Sequence, residues 1–476
     1  MSNILTALHS SATALDVFGQ ALQVTQNNVA NASTPGYVKH GQALEAMPFS
    51  PAEGLAGGVR AGEISSARSA YADQAVRSQT FLLGQAQQQV DSTSALQSIF
   101  DVSGNSGIPD SLNQLFQRFS AWGQAPDDAV ARQNVIDAAA STAAAFSRTA
   151  NDLSDLSRQT EQAARDKVDT VNQLAARLQT LNGLARRTDR TDSGLDAEIH
   201  NTLEELSLYV NISVLEQDDG SVTVALNGQT ALVAGDQVFP VSVRLVQPDT
   251  PPPQYPGAPP VLRLYAADGR DITAQTETGQ LGALLDMRNR VLPSYLGDAY
   301  QQGDLNRMAS AFADRVNELL TSGVAPNGSP GVALFNYGAD STAAARTLSV
   351  DQTITPSQLG ALQAGPPPVA NGIPLALSAL ASPQAPADEI DGGSYSQFFG
   401  RLAARAGSEY DDADSRLAVQ QSAVAQAKNL RQQVSGVSLD EEATILIQFQ
   451  RAYEANSRLI TVLDQLSQAT IDMLQP

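Results

Sequence analysis

The residues able to do chemistry are few and scattered. The three histidines, His9, His40 and His200, lie on different stretches of the chain, and there is no cysteine. Only His200 has carboxylates one helical turn away on each side, Asp196 and Glu204. An imidazole between two carboxylates at that spacing can shuttle a proton or supply one corner of a metal site. With no second His and no Cys nearby, the trio reads as a solvated helix face. Asp189 and Asp192, in the polar loop from Thr188 to Gly194, suggest a calcium loop, but the twelfth place from Asp189 is His200, where a bidentate Glu is required. Asp440, Glu441 and Glu442 follow Ser438 at a helix start, where capping and the helix dipole account for them. Arg186, Arg187 and Arg190 make a small basic cluster that reads as a solvated helix end. The chain has no phosphate loop, no Gly-x-Gly-x-x-Gly after a strand and no Gly-x-Ser-x-Gly elbow. The expectation is no catalytic residue, no cofactor and no metal.

What the sequence does organise is a pair of chain ends. Thr25 to Tyr37 begins helical and then stops. Asn27, Asn28 and Asn31 compete with the backbone for hydrogen bonds, Pro35 pushes Thr34 out of the helical region, and Gly36 allows a sharp change of direction. Before this stop, Ile4, Leu8, Ser11, Leu15, Phe18, Leu22, Thr25 and Val29 recur in steps of four and three, a heptad seam. At the other end, Leu439 to Met473 runs without Gly or Pro, capped by Ser438. There Leu446, Phe449, Tyr453, Asn456, Ile460 and Leu463 repeat the same steps. A second stripe, Ile445, Ala452, Leu459, Leu466 and Met473, widens that face. One seam alone leaves much apolar surface wet. The two ends are therefore expected to pair as a coiled coil over residues 1–37 and 437–476, with the wide stripe left for other copies.

These two stretches carry a resemblance. Asn27-Asn28-Val29-Ala30-Asn31-Ala32-Ser33-Thr34-Pro35-Gly36-Tyr37 resembles the N-terminal motif of the bacterial flagellar rod, hook and hook-associated proteins. Ser438-Leu439-Asp440-Glu441-Glu442-Ala443, then Gln450-Arg451-Ala452-Tyr453-Glu454-Ala455-Asn456, resembles their C-terminal motif. The Leu-Asp-Glu-Glu form is most similar to the hook-associated members at the hook–filament junction. Leu115 to Arg132, Leu206 to Gly235 and the run from Gly279 to Gly323 are similar to stretches of the same members. The resemblance implies a structural subunit rather than an enzyme. It implies self-assembly into a ring, contacts with the hook protein and the third hook-associated protein, and a cytoplasmic export chaperone. It also implies an extracellular place on the flagellum, reached through the type III export channel without a cleaved signal peptide. The alternative within the family is a hook or distal-rod type axial protein; those are β-rich where this chain reads as helix. A cell-wall hydrolase lacks any catalytic pair at a recognisable spacing.

Composition sets bounds. A chain of 476 residues exceeds one ordinary core. With 29 basic and 50 acidic residues the net charge is -21, which argues against nucleic acid and against anionic membrane surfaces. No apolar run reaches the ~20 residues of a membrane span, and the first twenty residues lack the basic start and apolar centre of a secretory signal. Without the resemblance the chain would read as cytoplasmic.

The expected fold is mainly α, an elongated discontinuous helical bundle formed by the N- and C-terminal regions with an inserted β-rich domain. Residues 38–206, 279–325 and 394–436 form the helical rod domain. Within it, Val38 to Ser66 is extended, and Val135 to about Arg187 is a helix too long for an ordinary globule. Residues 207–278 form the β insertion, with turns at Asp219-Gly220, Asn227-Gly228 and Asp268-Gly269. Residues 326–393 are a mixed region packed on the rod or the β domain.

Overall fold

The computed structural model describes residues 2–50, 55–100, 107–187 and 192–473. Pro51, Gly54, the start of the break at Gly104, and the loop residues 188–191 with Asp189 and Arg190 lie outside the described residues. In chain order, α1 (Ser2–Asn31) leads to β1 (His40–Ala46), β2 (Phe49–Ser50), β3 (Leu55–Ala56) and β4 (Val59–Ser66). Helices α2 (Ala70–Ile99), α3 (Gly107–Gln124), α4 (Ala129–Ala185) and α5 (Ser193–Tyr209) follow. Then come β5 (Ile212–Glu216), β6 (Val222–Leu226), β7 (Thr230–Ala234), β8 (Gln237–Val238), β9 (Ser242–Val246) and β10 (Val261–Tyr265). The return runs through α6 (Gly279–Asp286), α7 (Leu292–Leu296) and α8 (Asp304–Ser322). Beyond it are β11 (Gly323–Val324), β12 (Phe335–Asn336), α9 (Ala344–Thr347), β13 (Ser349–Val350), β14 (Leu362–Gln363) and α10 (Gly372–Ala379). Two long helices close the chain, α11 (Tyr395–Ser435) and α12 (Leu439–Asp472). The protein is mainly α, with paired terminal helices and a β-containing middle.

Two compact units divide it. The first takes the N-terminal residues through Phe81, Gln173–Phe239, and the chain from Gln420 onward; the second takes Leu82–Asn172 and Pro240–Val419. The strands expected as one insertion are therefore split. Strands β5 to β8 form an antiparallel sheet, in that order, in the first unit, and β9 pairs with β10 in the second. Each set is tied to helix α4 at a different point. In the first unit Asn182 of α4 binds both backbone groups of Val222, donating to its carbonyl and accepting from its N–H, each at 2.8 Å. In the second, Asn172 of the same helix does this for Val241 at 2.9 Å. A carboxamide is suited to that task, since it offers a donor and an acceptor side by side.

The same device recurs. Asn289, on a π-turn over Met287–Val291 between α6 and α7, completes Leu262 of β10. Asn317 of α8 completes Phe335 of β12. Buried backbone groups need partners, and these helical amides supply them where no second strand does.

The second unit has one continuous apolar core centred on Phe312 of α8. Its ring lies 6.3 Å from Phe116, 6.4 Å from Phe146, 5.5 Å from Phe335 and 5.2 Å from Tyr395. The i, i+3, i+4, i+7 face Leu112, Leu115, Phe116 and Phe119 is wholly inside this core, with Trp122. The mixed region packs here: Ile373, Leu377 and Leu380 join the core, and Asn371 donates to the Gly123 carbonyl at 2.8 Å.

Candidate assembly site at the paired chain ends

Helices α1 and α12 pack along each other in the first unit. Phe18 and Phe449 meet with ring centroids 6.3 Å apart, and Gly19 faces the Tyr453 ring. On α12 the seam residues Leu446, Phe449, Asn456, Ile460 and Leu463 are half-buried, and so are Ile445 and Ala452 of the second stripe. Tyr453, expected on this seam, is 42% exposed, and Leu439 and Leu459 are exposed too. On α1 the seam differs from the expected one. Ser11, Ala14, Val17, Ala21, Thr25 and Asn28 are buried, whereas Leu15, Phe18 and Leu22 are only half-buried and Val29 is exposed. The rotation follows from two demands on α1. It touches the β1–β4 hairpin as well as α12, and Asn28 must reach a polar lock at its end. Small Ala14 and Ala21 allow the close approach.

The lock is built from the N-terminal motif and the first turn of α12. Asn28, fully buried, donates to the His40 carbonyl at 2.8 Å and to Glu442 Oε2 at 2.9 Å. Its Oδ1 accepts from the His40 N–H at 3.0 Å and from the Tyr37 hydroxyl at 2.9 Å. Both groups of its amide are thereby satisfied. Lys39 closes the circuit, with Nζ 3.0 Å from Glu441 and 3.2 Å from Glu442, while its N–H donates to the Ser435 carbonyl at 2.9 Å. Burial pulls the Lys39 pKa down, but its two glutamate partners outweigh that and hold it above the ordinary value. Burial pushes the Tyr37 hydroxyl up, so it stays a neutral donor. Ser438 caps α12 by accepting from the Glu441 N–H, and Asp440 is exposed as a capping charge would be. Glu442 is not merely a capping charge: it is 1% exposed and is the far half of the lock.

The remaining motif residues shape the turn. Asn31 binds back to Asn27, and Thr34 donates to Asn31 Oδ1 at 3.2 Å. Asn27 reaches Ser193 at the start of α5, at 3.3 Å. Pro35 is exposed. Gly36 has φ +75°, and a Cβ there would lie 2.7 Å from the Ala197 carbonyl oxygen, so no other residue fits this turn against α5.

Under the turn sits a charged cluster. Arg68 donates to the Gly36 carbonyl at 2.8 Å, to Asp73 at 2.9 Å and to Asp196 at 2.7 Å. Arg431 of α11 binds Glu204 at 2.8 Å, and Lys428 reaches the other oxygen of Glu204 at 2.7 Å. Here the expectation of a solvated face for Asp196, His200 and Glu204 fails. His200 is buried, with Nδ1 3.6 Å from Asp73 and Nε2 3.5 Å from Asp196. Burial, with the Arg68 charge, pushes its pKa down to about 4. Burial works the other way on Asp73, but Arg68, His200 and Arg431 outweigh it and hold that carboxyl below the usual range. Arg68, Asp73 and Arg431 were not singled out in the sequence. A signal for His200 did exist, since it shares a helical face with the apolar residues Ala197 and Leu203.

This cluster gives a pH dependence of known sign. His200 is depressed from 6.5 to about 4 on folding, so between those values the unfolded chain binds a proton that the folded chain refuses. Stability of this unit therefore falls as pH drops through that window, by up to about 3 kcal/mol. Asp73 and Glu204 add their losses only below the ordinary carboxylate range, since both are held down in the fold. The thermal midpoint should decline from neutral pH to pH ~4, and His200→Gln should flatten the decline without lowering the midpoint's acid limb further.

Beyond the lock, α12 carries a bare apolar side. Leu459 is 47% exposed, Val462 49% and Leu466 52%, and Met473 projects at its end. Among the described residues no group of His, Asp and Glu could hold a metal ion, and no helix is long and apolar enough to cross a membrane. Paired ends, a polar lock and an exposed apolar stripe on α12 are the features of this unit, and none of them is an arrangement for catalysis.

The comparisons give the class of protein. Residues 93–335 match the family described as the flagellar hook-associated protein FlgK helical domain, and residues 431–473 match the C-terminal region of the flagellar basal body rod FlgEFG proteins. The chain belongs to the FlgK hook-associated protein family. Flagellar hook-associated protein 1 of Bacillus subtilis is 25% identical over 99% of both chains. The Escherichia coli protein of the same name is 22% identical over 77% of this chain and 81% of its own. In fold, the chain resembles the flagellar hook junction protein FlgK of Burkholderia pseudomallei, with a TM-score of 0.64 over 75% of this chain and 99% of that one, at 14% identity.

Proposed function

We propose that this chain is a structural subunit of the bacterial flagellum at the junction between hook and filament. It assembles through its terminal helices and adapts one lattice to the next. The observation that carries the reading is the bare apolar side of α12, next to a polar lock that fixes how α1 and α12 meet. The lock sets the geometry, and the stripe supplies surface that only a neighbour can dry. Copies form a ring, with the hook protein on one side and the third hook-associated protein on the other. Before export, a cytoplasmic chaperone covers the same stripe, and the chain leaves through the type III channel without a cleaved signal. Its work is mechanical: Asn28, Tyr37 and Glu442 set the geometry of the paired ends, and the bare α12 stripe with Leu459 is its assembly surface. Immunogold labelling of isolated flagella tests the reading: gold confined to the hook–filament boundary is the expected result, and gold along the hook or at the rod would overturn it.

A further inference from the structure

Sheet edges in this chain are handled in two ways. In the second unit the edges of both strands of the β9–β10 pair are covered by side chains: Arg165 donates to the Val243 carbonyl, and Asn289 and Thr273 bind Leu262 and Leu264 of β10. An uncovered edge is a template for another strand, so such capping closes it. In the first unit two edges have no such cover among the described residues. These are the outer sides of β5, which pairs only with β6, and of β4, which pairs only with β1; the outer side of β1 is met at His40 by Asn28.

The β5 edge can be resolved to single residues. Gln217 donates to the Ser221 carbonyl and Asn227 to that of Asn211, so Asn211 and Gln217 are in hydrogen-bonded pairs. By the alternation of an antiparallel ladder, Ile212, Val214 and Glu216 turn their N–H and C=O groups outward. They open into a groove of about 530 Å³ whose other wall is the α2 face carrying Gln74, Arg77 and Phe81. Arg77 is half-buried in that wall and makes no hydrogen bond or ion pair with any described residue. Asp73 and Glu216 are near enough to be felt, yet burial still pulls its pKa below the ordinary value. The groove therefore wants an extended segment bearing a carboxylate.

The β4 strand has that chemistry. Glu63 is exposed and has no hydrogen-bond or ion-pair partner among the described residues; it lies where the β1–β4 register shifts, and no strand but β1 pairs with β4. We propose that β4 of a second copy adds to the β5 edge of the first, with Glu63 of one chain meeting Arg77 of the other. The two patches differ, so the contact is heterologous and repeats from copy to copy, closing a ring or continuing a helix. Backbone hydrogen bonds supply the pairing, and the Glu63–Arg77 contact sets its register. This inference rests on the reading that copies assemble at the junction, and adds a second contact to the one made by α12.

Charge reversal tests it in swimming cells. Glu63→Arg and Arg77→Glu should each reduce the number of filamented cells by about tenfold or more, and the two together should restore most of it. A double variant no better than either single one would overturn the pairing, as would single variants that assemble normally. Proximity gives an independent readout, because the natural chain has no cysteine. Cells making equal amounts of a Glu63→Cys chain and an Arg77→Cys chain yield junctions that can be treated with a short bis-maleimide. A cross-linked dimer that neither variant gives alone is expected. Junctions that contain both variants yet give no dimer would overturn the strand pairing and leave the junction role standing. Absence of the wild-type chain from junctions would overturn both.

Discussion

Leu459→Asp should abolish filament formation while leaving the purified monomer's stability within about 0.5 kcal/mol of wild type. Leu459 sits mid-helix on α12, nearly half exposed, between the half-buried Ala452 and the exposed Leu466 on one stripe. In the monomer an aspartate there stays in water and costs little. In an assembled apolar contact the same charge would be stripped of water with no partner, a cost of several kcal/mol per site. That cost is repeated in every copy, so assembly fails well before folding does. Arg458→Asp is the control. Arg458 is exposed on the same turn but off the stripe, and its reversal should be mild. Leu459→Pro should also block assembly, but through the backbone, losing one helical hydrogen bond and clashing with the preceding turn at about 3 kcal/mol or more. Filament counts in cells, beside monomer melting curves, separate the cases. A large fall in the Leu459→Asp melting point would mean that the stripe is ordinary core.

Asn28→Asp should have the largest effect on the monomer itself. The buried amide donates to the His40 carbonyl and to Glu442; an aspartate donates to neither and sets a second carboxylate against the first. Breaking a buried network on one side in this way costs about 3–5 kcal/mol, which lowers the melting point of a unit of this size by about 10 °C. Lys39 cannot absorb the change, since it already serves Glu441 and Glu442. Adding Glu442→Gln to Asn28→Asp removes the carboxylate pair and returns a donor at position 442, so the double variant should recover much of the loss. Equal melting points for the single and double variants would show that Asn28 and Glu442 are not coupled.

The parts legible in the sequence are those set by local rules. The α12 seam at Leu446, Phe449, Asn456, Ile460 and Leu463 is read from a period near 3.5; those positions are half-buried, and Phe449 meets Phe18 of α1. The turn at Asn227-Gly228 has positive φ at both residues, as that dipeptide favours. The helix stop at Asn31 and the Gly36 turn came from side-chain competition and backbone sterics. What local rules miss is partnership at a distance. Asn28 reads as a helix-end residue until Glu442, 414 positions away, is beside it. The same blindness made His200 look solvated, because Arg68 and Asp73 arrive from another segment to enclose it. It also turned the α1 seam one step, since the hydrophobic period could not show that α1 must serve a hairpin as well as a helix. The two strand sets meet different asparagines of α4, Asn182 and Asn172, and nothing local in the strands records that pairing.

The central claim is that this chain joins the filament to the hook. Electron microscopy of flagella from a strain lacking only this chain tests it most directly. The account predicts complete hooks of normal length with no filament attached, and filament subunits lost to the medium. Filaments seated normally on those hooks, or hooks that fail to form, would contradict it.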